Sequence, residues 1–406
     1  MAEKKKYSYF RETETYNGRQ YEGWGKTKAE ARRKLAKKIE AAKSGLDPTA
    51  FNTTVAAYAR FWLKTYKLPM VRDPGAAKEK GTLSQKSYQM YVDKIEGYLI
   101  PTIGGMKLSE VQDFHLQQIL NDQKGTSKSH LSKLRMVIKD VFSQAFASRK
   151  IAFDPSTKLL LPQYTKGTHR AITTEERRVL NKVAQTHRCG LWVRFMLATG
   201  IRPGESAPLL VGDLDLTEGK ESVSISKSLE SGAYAVGDPK TAAGIRTVPV
   251  PADIVPDLKS AVKGKRKTAY LFPQTDGKTM MSQTCITNNW RSFTRQMDLE
   301  MGAETTAHGH IYDPKDLKAD GTPLYPDPKD KSKPRNGHRL ADDFELYNLR
   351  HTYATDLKNA GVPLMAAKYI LGHEDITTTA NIYTHSDRAD ALVAAAQINA
   401  HRKTLV

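Results

Sequence analysis

The spacing of apolar and polar positions divides this chain before any chemistry is considered. In "YSYFRETETYNGRQYEGWG" aromatic and polar residues alternate around Asn17-Gly18, a pair suited to a two-residue hairpin turn. The period then lengthens. In "TKAEARRKLAKKIEAAKSG" Thr27 and Glu30 form a capping box, Ala31, Leu35 and Ile39 share a helical face, and Gly45 ends the helix. "TTVAAYARFWLKTY" puts Val55, Tyr58, Phe61, Trp62 and Tyr66 on one stripe. "LSQKSYQMYVDKIEGYLIPTIGG" puts Tyr88, Tyr91, Val92, Ile95, Tyr98 and Leu99 on another that ends before Pro101. "SEVQDFHLQQILNDQ" and "SKSHLSKLRMVIKDVFSQAFASRKI" continue the helical pattern, and aromatic stripes at this spacing read as core. "VRDPGAAKEKG" is a loop, and Asp154-Pro155 with "PQYTKGTHR" reads as a linker.

Beyond residue 170 the pattern is mixed. "TTEERRVLNKVAQ" and "GLWVRFMLATG" predict helices; "SVSISKS" and "RTVPVP" predict short strands. Apolar periodicity vanishes over residues 301–343, which read as a long polar insertion loop. The expected fold class is mainly α with small β-sheets (α+β), in several domains. These are a small β-sheet-plus-helix module (1–46), a helical domain (50–155) and a mixed α/β domain (170–406). The last has its insertion at about 301–343 and a C-terminal tail at about 388–406, where Leu392, Val393, Ala396 and Ile398 form a short apolar stripe.

With 406 residues the chain is too long for one core, and 39% hydrophobic with 26% charged residues is ordinary globular composition. No apolar run reaches the roughly 18–20 residues that span a bilayer, and "MAEKKKYSYF" has no apolar stretch behind its basic start. Cys189 and Cys285 are far apart in sequence, which excludes a disulfide framework and points to the cytoplasm. A formal net charge of +19 favours a polyanion. Nucleic acid fits better than a membrane surface, for which no basic amphipathic helix stands out. Thirteen Lys and Arg against six Glu precede residue 47, making Arg32, Arg33 and Lys37 candidates for DNA contact; Lys86, Lys128 and Lys133 lie on polar faces of the helical region. His308 and His310 lack a carboxylate or Cys partner set at ligand spacing, so no metal is expected.

Four stretches carry the chemistry: "LATGIRPGESAPLL" with Arg202 and Glu205, "DPKTAAGIRTVPVP" with Lys240, "ELYNLRHTYATDLKNAG" with Arg350 and His351, and "LGHEDITTTANIYTHS" with His373 and Tyr383. Each is weak alone. Arg, then a Lys on a β connection, then "LRHT", "LGH" and Tyr, in this order, resemble the tyrosine recombinases of the phage integrase family. The resemblance runs through about residues 170–390. Upstream, a basic arm-type module followed by a helical core-binding domain (SAM-like) is similar to integrases of phages and conjugative transposons.

The resemblance implies a site-specific DNA recombinase that cleaves and rejoins attachment sites in double-stranded DNA through a 3′-phosphotyrosyl intermediate, integrating or excising a mobile element. Tyr383 is the implied nucleophile, whose ester conserves the energy of the broken bond, so that exchange needs no ATP, metal or cofactor. Arg202 and Arg350 make bidentate contacts to the non-bridging oxygens, where charge gathers in the transition state. Lys240 donates a proton to the leaving 5′-oxygen. His373 bonds a phosphate oxygen, Glu205 orients the site and His351 supports it. Tyr347 stands where most members carry a His three residues before the second Arg, and at neutral pH a Tyr is a poor base. The resemblance also implies a homotetramer on DNA inside a bacterial cell, associated with the nucleoid, with a DNA-bending host protein and an excision factor as further partners, and a tail docked on a neighbouring subunit. The rival readings are a type IB topoisomerase and a DNA-binding regulator that has lost catalysis.

Overall fold

The computed structural model describes residues 9–47, 52–76, 79–165, 170–230, 234–237 and 242–383. It is an α+β molecule whose contacts form two compact units: Met1–Asp73 with Glu79–Thr168, and Pro74–Lys78 with His169–Val406.

The first unit begins with strands β1 (Phe10–Tyr16) and β2 (Arg19–Gly25), antiparallel and in register from Phe10–Gly25 to Tyr16–Arg19. Asn17 and Gly18 both take positive φ (48° and 73°), which the tight turn demands. Helix α1 (Lys28–Lys43) is capped by the Thr27 hydroxyl, which accepts the Glu30 N–H, and buries Ala31, Leu35 and Ile39. Then come α2 (Val55–Trp62), α3 (Gln85–Lys94), α4 (Asp113–Asn121) and α5 (Lys128–Ala147). Their core joins Tyr58, Trp62, Tyr91, Ile95, Leu99, Leu116, Leu134, Val137 and Phe142.

Two expectations change here. Phe61 (51% exposed) and Tyr66 (37%) do not join the core stripe. Phe61 falls to the flank of the Tyr58–Trp62 line, and a π-helical turn at Leu63–Lys67 rotates Tyr66 outward. The second stripe does not end before Pro101. A π-turn at Ile95–Leu99 resets the ladder, and the helix runs on through Pro101 as Ile100–Ile103, Pro101 leaving one helical hydrogen bond unmade.

The second unit contains α6 (Thr174–Ala184), α7 (Gly190–Thr199), a short helix at Pro203–Ser206, β3 (Leu214–Asp215), β4 (Ser222–Ile225), β5 (Ser228–Leu229), β6 (Val236–Gly237) and β7 (Arg246–Pro249). It continues with α8 (Val255–Val262), α9 (Gln283–Glu300), α10 (Leu346–Asn359), α11 (Leu364–Leu371) and α12 (Ile376–Tyr383). Strands β3, β4 and β7 make one antiparallel sheet, β5 and β6 a separate hairpin. Val223, Ile225 and Val248 point inward to Trp192, Phe195, Met196, Ile286, Phe293 and Leu349. Arg246, paired with Ile225 across the sheet, takes an inward position as well.

The insertion is more ordered than its polarity implies. Asp313, Asp320, Asp327 and Asp330 each accept the N–H two residues on, closing turn after turn. Bridges join Thr305 to Ile311, Leu317 to Pro323 and Pro326 to Pro334. Glu304 holds Arg335 (2.9 Å) and Arg339 (2.7 Å), and the Arg335 guanidinium stacks 4.1 Å over Tyr312. The buried carboxylate of Asp298 accepts the N–H groups of Arg339 and Leu340 and bonds His338. His310 pairs with Asp316 at 2.7 Å. The segment is held by polar contacts that apolar periodicity does not report.

Candidate active site

The site is built around the C-terminal end of α11. An α-helix leaves its last four carbonyls without helical partners. Here the His373 N–H reaches the Lys368 carbonyl and the Gly372 N–H the Tyr369 carbonyl, with Gly372 in the left-handed conformation (φ 63°). The next carbonyls go to arginines from three other parts of the unit. Arg246 Nε donates to the Ile370 carbonyl (2.6 Å), Arg350 to that of Leu371, and Arg202 to that of Gly372 (2.8 Å). The negative end of the helix therefore faces positive side chains, an arrangement its dipole favours.

Arg202 follows the end of α7, where Gly200 turns the chain at φ 62°. A Cβ on Gly200 would sit 2.3 Å from the Tyr353 ring, so the turn requires glycine twice over. The Gly200 carbonyl accepts from Arg350 at 2.8 Å, which ties α10 to the same turn. Arg350 is 2% exposed, and its Nε is a buried donor with no acceptor within the protein. Burial, then the charge of Arg202, push its pKa down to about 10, still well above neutral.

Glu205, 1% exposed, lies between two guanidiniums: Arg202 at 2.7 Å and Arg246 at 2.8 Å. Burial pushes its carboxyl up, but the hydrogen bond and charge of Arg246, then the charge of Arg202, outweigh it and the net shift is down. His373 is also buried, and its Nδ1 lies 2.8 Å from the hydroxyl of the fully buried Thr379. Burial, then Arg350, Arg202 and Arg246, press its pKa down to about 4. At neutral pH it is an uncharged imidazole with one nitrogen held by Thr379.

Thr379 starts the link to Tyr383, because both lie on α12 four residues apart and so on one face. Tyr383 is half-buried. Its ring packs against the cluster of Tyr353, Ala354, Leu357, Ala367 and Leu371, and its hydroxyl donates to the Val362 carbonyl at 3.2 Å. Burial raises the phenol above its usual pKa, so it is protonated at neutral pH.

The structure thus gathers Arg202, Glu205, Arg350 and His373 at the C-terminal end of α11 but does not bring the Tyr383 hydroxyl to them: it is bonded to Val362, just before the opposite end of that helix. Tyr347, 37% exposed, sits in the first turn of α10, near enough to Arg350 to act on its charge; His351 is half-buried on the same helix. Lys240 and the apolar tail stripe lie outside the described residues. In the first unit Arg33, Lys37, Lys86 and Lys133 are exposed. Arg32 lies 3.5 Å from Glu12, and Lys128 lies 5.6 Å over the Tyr164 ring. Sequence reasoning missed Arg246 and Thr379. The signal for Arg246 was a charged residue at an inward position of an otherwise apolar alternation. Among the described residues no His, Cys, Asp or Glu cluster could hold a metal, and no helix is long and apolar enough to cross a membrane.

Residues 331–390 match the Phage integrase family, and residues 73–160 match the Phage integrase central domain. A tyrosine recombinase XerC-like protein of Caldanaerobacter subterraneus subsp. tengcongensis is 27% identical, over 95% of this chain and 95% of its own length. The transposase from transposon Tn916 of Enterococcus faecalis is 22% identical, over 80% of this chain and 74% of its own. Among solved structures, the Tn1549 transposon integrase in complex with a circular intermediate DNA superposes with a TM-score of 0.62 at 18% identity, covering 85% of this chain and 99% of that one. A lambda integrase from a tetramer bound to a Holliday junction gives 0.52 at 14% identity, covering 91% and 94%.

Proposed function

We propose that this chain, a site-specific recombinase belonging to the tyrosine recombinases of the phage integrase family, breaks and rejoins DNA with Tyr383 as nucleophile and Arg202 and Arg350 as the clamp on the scissile phosphate. The observation that carries this reading is the convergence of Arg202, Arg350 and His373 on the end of α11, with one buried Arg350 nitrogen lacking a protein acceptor. A buried donor without an acceptor is costly, and an anionic oxygen would satisfy it.

The Tyr383 oxygen attacks phosphorus as its phenol proton passes to water, the bond to the 5′-oxygen breaks, and the leaving oxygen takes a proton from Lys240. A 5′-hydroxyl of another strand then gives its proton to Lys240 and attacks the phosphotyrosine, and the released phenolate takes a proton from water. The arginines stabilise the charge that builds on the non-bridging oxygens. His373, neutral at working pH, hydrogen-bonds one of them. Tyr347 contacts a phosphate oxygen and takes no proton. Glu205 and His351 support the clamp. The N-terminal module takes up arm sites and the helical region clamps the core site. The partners are attachment-site duplexes, a tetramer of this chain, and host bending and excision factors, within a bacterial cell.

The test is trapping on a duplex nicked beside the cleavage point. Wild type forms a covalent adduct whose DNA-bearing peptide contains Tyr383. Tyr383→Phe binds the same duplex and gives no adduct; an adduct from that variant overturns the assignment. Two attachment-site duplexes then yield recombinant product.

A further inference from the structure

Arg246 is the least accessible charge of the cluster, its side chain 0% exposed. Its Nε is given to Ile370, and its two remaining nitrogens to Glu205 and the Gly244 carbonyl. With four of its five N–H donors given to protein acceptors and its side chain fully buried, it is not placed to touch DNA. We infer that Arg246 is a positioning residue that keeps the phosphate clamp cationic, by neutralising Glu205 and fixing that carboxylate where it aligns Arg202. This rests on the reading that Arg202 and Arg350 receive the scissile phosphate.

Charge explains why such a residue is needed. Glu205 aligns Arg202 by accepting both its N–H and one guanidinium nitrogen, at 2.9 and 2.7 Å. A buried carboxylate at that distance also opposes the attraction of Arg202 for a phosphate. Two clamp arginines less one carboxylate leave a net +1; Arg246 returns it to +2. His373 adds nothing, being neutral. Arg246 reaches far enough to help depress the pKa of both Arg350 and His373, so its field is present at the clamp. Its bond to Ile370 also fixes the helix end on which Arg202 and Arg350 rest.

The experiment measures single-turnover adduct formation at saturating DNA, using the full chain and the nicked duplex. Arg246→Met keeps the apolar stem and removes the charge. Its rate is expected to fall about 10²-fold, with little change in affinity. On the same duplex with an uncharged methylphosphonate at the scissile position, the deficit relative to wild type shrinks by about tenfold or more, because a neutral phosphate needs less positive charge. On the ordinary duplex, the double variant E205Q/R246M regains about tenfold over Arg246→Met, its clamp again carrying +2. Thermal melting checks the fold; if Arg246→Met does not fold, Arg246→Gln, which also removes the charge but keeps hydrogen-bonding groups, carries the test on both duplexes, with the same loss and the same rescue. An Arg246→Met rate equal to wild type overturns the inference. So does a loss that neither the methylphosphonate nor the second substitution reduces, which would mark a packing role alone. If wild type itself forms no Tyr383 adduct, the underlying reading has failed and not merely the role of Arg246.

Discussion

In the first unit Lys86 and Lys133 are exposed, and Lys128 lies over the aromatic face of Tyr164; in the second, Arg246 and Arg350 are almost wholly buried and bonded to carbonyls or to Glu205. Both sets are positive, but their physics differs. An exposed ammonium is hydrated, mobile and screened within about 8 Å at physiological salt. It attracts a polyanion from many directions and assigns it no orientation. A buried guanidinium has lost its water and must be satisfied by fixed acceptors, or the fold would not tolerate it. Those acceptors set its direction. The first kind of charge supplies affinity; the second is suited to a transition state, where direction matters more than total charge.

The sharpest way to break this contrast is Arg350→Lys, which keeps the charge and gives up the two-carbonyl grip. Adduct formation on the nicked duplex should fall on the order of 10²–10³-fold while binding at low salt is retained. A variant as fast as wild type would show that charge alone suffices. Acid titration probes the cost of placing an imidazole among these arginines. The folded His373 protonates near pH 4, and an unfolded one near its ordinary 6.5. Between these values the unfolded state holds more protons, so stability falls as pH drops from 6.5 towards 4 and levels off below. The loss is on the order of 3 kcal/mol, read from denaturant midpoints, and His373→Gln should flatten it. Next in size is Gly372→Ala. Its Cβ would lie 2.9 Å from the Ala243 carbonyl and 3.0 Å from Arg246, at a φ that disfavours alanine. It should lower stability by about 1–2 kcal/mol and slow cleavage as well, measured by melting and by adduct rate. Smallest is Lys133→Ala in the exposed set. Affinity should weaken by less than about tenfold, with the slope of log affinity against log salt reduced by about 1 and the adduct rate at saturating DNA unchanged.

The same contrast explains what was legible in the sequence. The helices of both units could be read because burial of apolar side chains imposes a period, as with Ala31, Leu35 and Ile39 or Leu131, Leu134 and Ile138. The candidate residues could be picked out because their types occur in a fixed order, although sequence alone gives no distance between Arg202 and Arg350. What escaped was held by polar contact. Arg246 reads as an ordinary strand residue until its carbonyl and carboxylate partners are known, and Thr379 as one polar residue among several in "ITTTANIY". The insertion looks structureless because its order comes from Asp turns and Arg–Glu pairs. The continuation past Pro101 escaped because a π-turn leaves no mark in a 3.6-residue period.

Three arginines from distant parts of the chain are anchored on the neighbouring carbonyls of Ile370, Leu371 and Gly372. Fraying of that single turn, the last of α11, would take one anchor from each of them at once. Damage there should silence the enzyme outright instead of leaving a slower, less accurate one, a safeguard for a recombinase. Hydrogen exchange at the amides of Gly372 and His373 would then report, in one measurement, the fraction of molecules able to cut.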